Sequence, residues 1–421
     1  MKVLFIANSC CSPITSKKRY YTGYDYIVSD IAERLSRCCQ IDIFSLNPCP
    51  ENSRIGDVRI KSCVKYKRLL RYFKVKDILR YFIIFYRSLP DVRKAIKNIL
   101  WYLSVYEINE IIRKNDYDII HIHGVSFGCF NASVAAANNN KPFLFTLHGL
   151  LSYGVPGILR IDKLSEVAAF DVINNNNLYV TTVSAGTKRI PCEDKGIDPS
   201  KIIIINNAIK FTPYDNHNYW YDKFPQAKGK TIVIGVGTIG ENKNQIQLLR
   251  AYMLLPSALK DQIVIMLAGK DISNGIIAEY ISEHKLQTNV FLCGFINKKE
   301  LSNLYSIANF NVMLSYSEGF GLSMIEAASY GIPSLTFSDL DAVKDIYSPK
   351  SMLLMDNRSD NTVADGIIKM LSTNWDKEAI IKESQKFNED IYLEYLDVYK
   401  MIIDSGSNII APQVITNTLG L

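Results

Sequence analysis

The chain has 421 residues, 48% of them hydrophobic and 21% charged, with 48 Lys and Arg against 42 Asp and Glu. Such a chain can bury two or three separate cores, which fits a soluble globular protein and excludes a disordered one. No apolar run reaches the ~18 residues that span a bilayer, Met1–Ala7 turns polar too soon for a signal peptide, and the nine cysteines and five histidines form neither CxxC nor HExxH, so a cytoplasmic protein without a zinc site or disulfide framework is expected.

Strand-like runs come first at Lys2–Ala7 and Ile41–Leu46, then at Asp118–His123, Pro142–His148, Leu178–Val183 and Lys201–Ile205, with helical patterns between most of them. This alternation predicts an α/β protein with parallel sheets covered by helices on both faces. A polar, aromatic stretch from Phe211 to Lys230 interrupts it. The pattern restarts with Thr231–Val236, Gln262–Ala268, Asn289–Cys293, Asn311–Leu314 and Pro333–Phe337. Two Rossmann-like domains joined by that stretch are expected, over residues 1–212 and 226–385. Phe387–Asp404 reads as one long amphipathic helix that returns to the first domain, and the tail from Ser405 carries little pattern.

One stretch breaks the alternation. Lys61–Lys97 holds twelve Lys or Arg against two acids, interleaved with Tyr66, Tyr72, Phe73, Tyr81, Phe82, Phe85 and Tyr86 and followed by Trp101. An insertion at about 61–101 with this composition suits helices lying on an anionic membrane surface. Nucleic acid is the competing partner for basic and aromatic residues, and a solvated basic face over an aromatic core is the plain alternative.

The chemistry concentrates in Ser317–Phe337, "SEGFGLSMIEAASYGIPSLTF". A buried strand, a glycine loop, a helix and a second strand are expected there. Glycines let backbone approach a ligand, and the free N–H groups of a helix's first turn favour an anion, so a phosphate is the expected guest. Glu318 falls in the loop, and Glu326, five residues past Gly321, lies ~7.5 Å further along the helix. Gly235-Val-Gly237-Thr-Ile-Gly240 matches the dinucleotide fingerprint, but Asp271 follows about thirty residues on, against the ~20 expected. Phosphate contact follows from it, and nicotinamide does not. Asp116-Tyr-Asp118 and Asp339-Leu-Asp341 are DxD pairs of the kind that hold a metal and a diphosphate in some transferases. Paired carboxylates also serve glycoside hydrolases, which have no use for a phosphate cradle.

The Glu318…Glu326 spacing resembles the E-x7-E motif of the retaining, two-domain (GT-B) transferases grouped as glycosyltransferase family 4. "DIIHIHG" at Asp118–Gly124, "FTLHG" at Phe145–Gly149, "TVSAGTK" at Thr182–Lys188, "IINNAI" at Ile204–Ile209 and "VGTIGENKNQ" at Val236–Gln245 extend the resemblance in the family's order. It implies the GT-B fold, two Rossmann-like domains facing each other across a cleft, and transfer of a hexose from a nucleotide diphosphate sugar to a lipid-linked or saccharide acceptor of surface polysaccharide synthesis. It implies Glu326 at the donor's ribose, Glu318 at the donor sugar, and the backbone of Gly319, Phe320, Gly321 and Leu322 with Lys243 at the diphosphate. Thr238 belongs to the same donor site and stands where the family usually has Arg. His123 would lie near the reacting carbon, with Gly23 and His148 on the acceptor side. Ala208, Lys210 and the reduced first loop Thr22-Gly23-Tyr24 depart from the family on that side. No cofactor or metal is implied. The basic aromatic stretch, not the resemblance, makes an anionic membrane surface the expected partner in place of nucleic acid, and the inner face of the cell membrane the expected location. The reading of another class is a non-catalytic nucleotide-sugar or anionic-surface binding protein of the same fold.

Overall fold

The computed structural model describes residues 1–11, 21–47, 49, 53–62, 104–150 and 160–406. They fall into two compact units, the first built from the residues up to Ala208 together with those from Glu389 onward, the second from Ile209 to Asn388.

The first unit holds β1 (Lys2–Ala7), β2 (Gln40–Ser45), β3 (Arg54–Ile55), β4 (Val58–Ser62), β5 (Ile119–His123), β6 (Phe143–Leu147), β7 (Val180–Thr182) and β8 (Ile202–Ile204). They form one sheet in the order β3-β4-β2-β1-β5-β6-β7-β8, parallel except where β3 turns back on β4. Its central strands are apolar on both faces, as a parallel sheet covered by helices requires: residues 3–7 of β1 and all of β5 and β6 are buried. Asp42 of β2 is buried among them and is satisfied by two Arg59 N–H groups at 3.0 and 3.2 Å and by the Tyr117 hydroxyl at 2.9 Å. A buried carboxylate needs such partners.

The second unit holds β9 (Thr231–Val236), β10 (Ile263–Ala268), β11 (Val290–Gly294), β12 (Phe310–Val312), β13 (Ser334–Phe337) and β14 (Met352–Met355), all parallel, in the order β11-β10-β9-β12-β13-β14. Successive side chains feed opposite cores, as strand geometry dictates. Val233, Ile263, Ile265 and Leu267 enter the core on one face, and Ile232, Ile234, Val264 and Met266 the core on the other.

Three expectations change. The stretch 211–230 is part of the second unit rather than a connector: Trp220 is 1% exposed, its Nε1–H donates to the Glu300 carbonyl at 2.9 Å, and Phe224 stacks on Phe291 at 4.5 Å. Trp220 is core, with Tyr219, Tyr221 and Phe224 packed against it while Phe211 and Tyr214 stay exposed, a division that polar neighbours hide in the sequence. The single helix over 387–404 is broken at Asn388, which is extended; a 3₁₀ segment, Glu389–Leu393, and a helix, Glu394–Asp404, follow. This segment belongs to the first unit. The Tyr392 hydroxyl receives the Ala208 N–H at 2.9 Å and donates back to its carbonyl at 3.3 Å, while Tyr395 and Tyr399 are also buried. The basic stretch begins inside an element, because Lys61 and Ser62 are the last residues of β4; the rest of the 61–101 insertion, from 63 on, lies outside the described residues.

Candidate functional site

In an open parallel sheet, ligands bind outside the carboxyl ends of the strands where the strand order reverses. In the second unit that point lies between β9 and β12. A recess there is lined by Gly235, Val236, Lys243, Met313, Leu314 and Ser315. The chain crosses itself closely beside it: a Cβ on Gly269 would fall 1.8 Å from the Gly237 carbonyl oxygen, so only glycine fits after β10. The fingerprint glycines thus shape a turn at a sheet edge. Asp271, the acid of the dinucleotide reading, accepts the Ser273 N–H at 2.7 Å and pairs in register with Ile239, so it closes a turn.

Lys243 ends a short 3₁₀ turn, Glu241–Lys243, and its ammonium is ion-paired to Glu318 Oε1. The same oxygen accepts the Ser315 hydroxyl at 2.6 Å. The side chains of Lys243 and Glu318 are 23% and 12% exposed. Two residues from loops 75 positions apart, both expected at the donor, therefore occupy each other. Asn242 fastens the loops: its Nδ2–H donates to the Ser317 carbonyl at 3.0 Å, and its Oδ1 and carbonyl accept the N–H groups of Ser317 and Tyr316 at 3.2 and 2.9 Å. Arg358 donates to the Ser315 carbonyl at 3.1 Å and is held in a two-pronged pair by Asp339 at 2.8 Å. Sequence reasoning missed Ser315, Asn242 and Arg358. Only the Asn beside Lys243 carried a signal, since the other two reach the site through chain reversal.

The helix Leu322–Ser329 starts behind Gly321, whose φ of 79° and lack of a Cβ let the chain turn against Met324 and Ile346. No side chain caps this helix, and while the Met324 N–H turns back to the Gly321 carbonyl at 3.0 Å, those of Leu322 and Ser323 remain for an anion. Phe320 is 3% exposed and packs edge-on against Phe387, which leaves its backbone as the part a ligand can meet. Glu326 Oε2 accepts the Tyr305 hydroxyl at 3.2 Å, and Tyr330 stacks on Tyr305 at 5.1 Å. Thr238 is exposed, and its carbonyl is held by Gln245 Nε2–H at 3.1 Å.

In the first unit the strand order reverses between β1 and β5, and the expected acceptor-side residues gather there. His123 ends β5 and is fully buried; His148 follows β6 and is only partly so. His123 Nδ1 and His148 Nε2 lie 3.0 Å apart and the rings stack at 5.3 Å. His121, behind them, bonds through Nδ1 to the Tyr399 hydroxyl and through Nε2 to Thr146 Oγ1, both at 2.6 Å. Gly23 opens the helix Gly23–Leu35, whose first turn is closed by a reciprocal Thr22–Asp25 cap. Burial, which disfavours the charged imidazole, holds His121 and His123 well below their ordinary value and pushes His148 down to about 3.

Neither DxD pair gathers ligands. Asp116 pairs with Lys141 and Asp118 accepts the Lys2 N–H, while Asp339 and Asp341 pair with Arg358 and Lys344. Among the described residues no group of three His, Cys, Asp or Glu is placed to hold a metal.

Two outcomes follow from this geometry. An anion at Lys243 has to compete with Glu318, so Glu318→Gln should bind inorganic pyrophosphate or a nucleoside diphosphate about 3- to 10-fold more tightly, roughly 1 kcal/mol, and Lys243→Met should weaken it. Titration calorimetry on both variants reads this, and weaker binding by Glu318→Gln would remove the competition. The imidazoles give a second outcome. Their folded values lie below the unfolded value of about 6.5, so the unfolded chain takes up protons that the folded one refuses. Stability should therefore fall as pH drops below about 6.5, by up to ~1.4 kcal/mol per pH unit for a fully buried ring. Urea midpoints between pH 7.5 and 5.5 should decline, and less steeply in His148→Asn; identical slopes would contradict it.

Residues 219–387 match the family described as Glycosyl transferases group 1, and residues 23–212 match Glycosyltransferase Family 4. An Escherichia coli UDP-Gal:alpha-D-GlcNAc-diphosphoundecaprenol alpha-1,3-galactosyltransferase is 23% identical over 58% of this chain and 64% of its own length. A Xanthomonas campestris GDP-mannose:cellobiosyl-diphosphopolyprenol alpha-mannosyltransferase is 25% identical over 51% of this chain and 54% of its own length. The match thus spans little more than half to two thirds of these relatives. In fold, Anabaena HepE in complex with UDP and glucose superposes with a TM-score of 0.70 at 15% identity, covering 95% of this chain and 100% of that one. A glycosyltransferase from Rickettsia africae gives 0.68 at 19% identity, covering 95% and 98%. The fold is GT-B, and the chain belongs to the GT-B glycosyltransferases of family 4.

Proposed function

We propose that the protein is a retaining glycosyltransferase that moves a hexose from a nucleotide diphosphate sugar to a lipid-linked or saccharide acceptor in surface polysaccharide synthesis. The observation that carries this is the cluster at the β9/β12 reversal, where Lys243 and Ser315 line one recess and both engage Glu318, in the loop just before an uncapped helix. In this reading the diphosphate displaces Glu318 from Lys243 and takes the amides of Gly319–Leu322. The released Glu318 turns to the donor sugar's hydroxyls, and Glu326 binds the ribose. As the sugar–phosphate bond breaks, negative charge gathers on the leaving diphosphate, where a fixed cation and helix N–H groups stabilise it most. Lys243 supplies that cation without a metal or cofactor. The relatives that act on diphosphopolyprenol-linked saccharides support the acceptor class. The rival is a nucleotide-sugar binding protein without turnover, favoured by Thr238 in place of a second cation.

Screening nucleotide sugars for a raised melting temperature identifies the donor, since a ligand of the folded state raises it. Release of nucleoside diphosphate in the presence of acceptor should survive EDTA. Glu326→Ala should lose ~1.5–3 kcal/mol of nucleotide affinity, the worth of a charged hydrogen bond. Stabilisation without release in any acceptor mixture would leave the binding protein, and loss on EDTA restored by magnesium would bring in a metal.

We also propose that the basic aromatic stretch, 61–101, docks on an anionic membrane surface and that the protein is cytoplasmic and peripheral. The support is composition: each Lys or Arg near such a surface contributes ~1 kcal/mol, and among the described residues no helix is long and apolar enough to cross a membrane. Replacing Lys65, Lys67, Arg68 and Arg71 by Ser should abolish co-sedimentation with anionic liposomes and leave nucleotide binding intact. Undiminished sedimentation would make the stretch an internal element.

A further inference from the structure

The imidazoles at the ends of β5 and β6 impose a proton count. Across the 3.0 Å between His123 Nδ1 and His148 Nε2 one nitrogen carries the hydrogen and the other receives it. For two neutral rings only two arrangements exist. Either both rings are protonated on Nδ1, or both are protonated on Nε2. His123 Nε2 is buried and has no hydrogen-bond partner among the described residues. In the second arrangement it would be a buried N–H without an acceptor, in the first a buried lone pair without a donor. Orphaned buried N–H groups are the rarer and costlier defect. The first arrangement follows, with His123 donating and His148 accepting at Nε2.

The surroundings hold this choice in place. On the inner side both nitrogens of His121 are taken, and Thr146 and Thr181 share a hydrogen bond at 2.5 Å. Tyr24 braces the other side: its hydroxyl receives the Asn8 N–H at 3.1 Å and donates to the His123 carbonyl at 2.9 Å, and its ring meets His148 edge-on at 5.2 Å. His148 is the partly exposed member of the pair, and Nδ1 is the nitrogen left to it.

We propose that the fully buried His123 is a positioning residue that sets the tautomer of His148, so that His148, already expected on the acceptor side, offers its Nδ1–H as a fixed donor to a lone pair on an acceptor oxygen. This rests on the glycosyl-transfer reading for the identity of the ligand. The oxygen belongs to a sugar hydroxyl or to the phosphate of a lipid-linked acceptor, which share the lone-pair chemistry. Because its Nε2 lone pair is engaged by His123, His148 directs the acceptor and does not serve as the base.

Long-range 1H–15N spectra of the full chain labelled at histidine nitrogen test it. Both His123 and His148 should show a protonated Nδ1 and a bare Nε2. In His123→Phe, His148 should relax to a mixture rich in Nε2–H while the far-ultraviolet spectrum stays unchanged. Methyl α-glucoside in one arm and inorganic pyrophosphate in another should separate the two oxygen sources, whichever shifts the His148 Nδ1 resonance. Nε2–H in both rings, an unaltered His148 tautomer in His123→Phe, or a His148 resonance that neither probe moves would each overturn the proposal. Failure of every nucleotide sugar to stabilise the protein would instead remove the transfer reading and leave the tautomer result standing.

Discussion

Parallel strands all deliver their following loops to one edge of a sheet, and wherever the strand order reverses, two neighbouring loops leave in opposite directions and open a gap between them. In the second unit that gap lies between β9 and β12, and each feature of the candidate donor site answers to it. Gly269 is small because its chain crosses the Gly237 carbonyl there at backbone contact, and a Cβ on Gly237 would in turn crowd the Lys243 side chain at 3.1 Å. The turn Glu241–Lys243 and the loop 315–318 flank the gap and are stitched by Asn242. Lys243 and Glu318 meet across it as an ion pair. The charges are consequences of the topology, which makes the loops converge before any side chain is chosen.

The ion pair also accounts for how Lys243 is held in a partly closed recess. An unpaired ammonium in a partly closed recess is costly, and a neighbouring carboxylate offsets that cost at the expense of affinity for the incoming anion. Ser315 holds the same carboxylate oxygen, and in the proposed transfer it is the neutral partner that Glu318 retains when Lys243 turns to the diphosphate. Arg358, although close, is committed to Asp339 and to the Ser315 carbonyl and acts as a brace.

The first unit solves a different problem. Three histidines at one end of its sheet are kept neutral by burial, and neutral imidazoles bring their own requirement, a proton count that every hydrogen bond must respect. His121 is saturated by Tyr399, from the C-terminal segment, and by Thr146. That leaves His123 with Nε2 unfilled among the described residues and His148 as its partner at Nδ1. The C-terminal helix matters here because its tyrosines complete the polar interior of a unit whose other residues lie some two hundred positions earlier in the chain.

Legible in the sequence alone were the α/β class, eleven of the fourteen strands among the described residues to within two residues at each end, and the glycine loop and helix that carry Glu318 and Glu326, because hydrophobic period, glycine spacing and helix breakers are local properties. It did not reveal β3, β4 or β14, which are too short or too weakly patterned to stand out from the loops around them, and it took Trp220 and Phe224 for a connector because burial is not a local property. Only the tertiary structure decided that Lys243 is engaged by Glu318, that Asp339 and Asp341 are structural ion pairs, and that His123 is sealed while His148 keeps an open side. Each of these depends on which strands end beside one another, and strand order is fixed by the packing of whole elements that no short window of sequence contains.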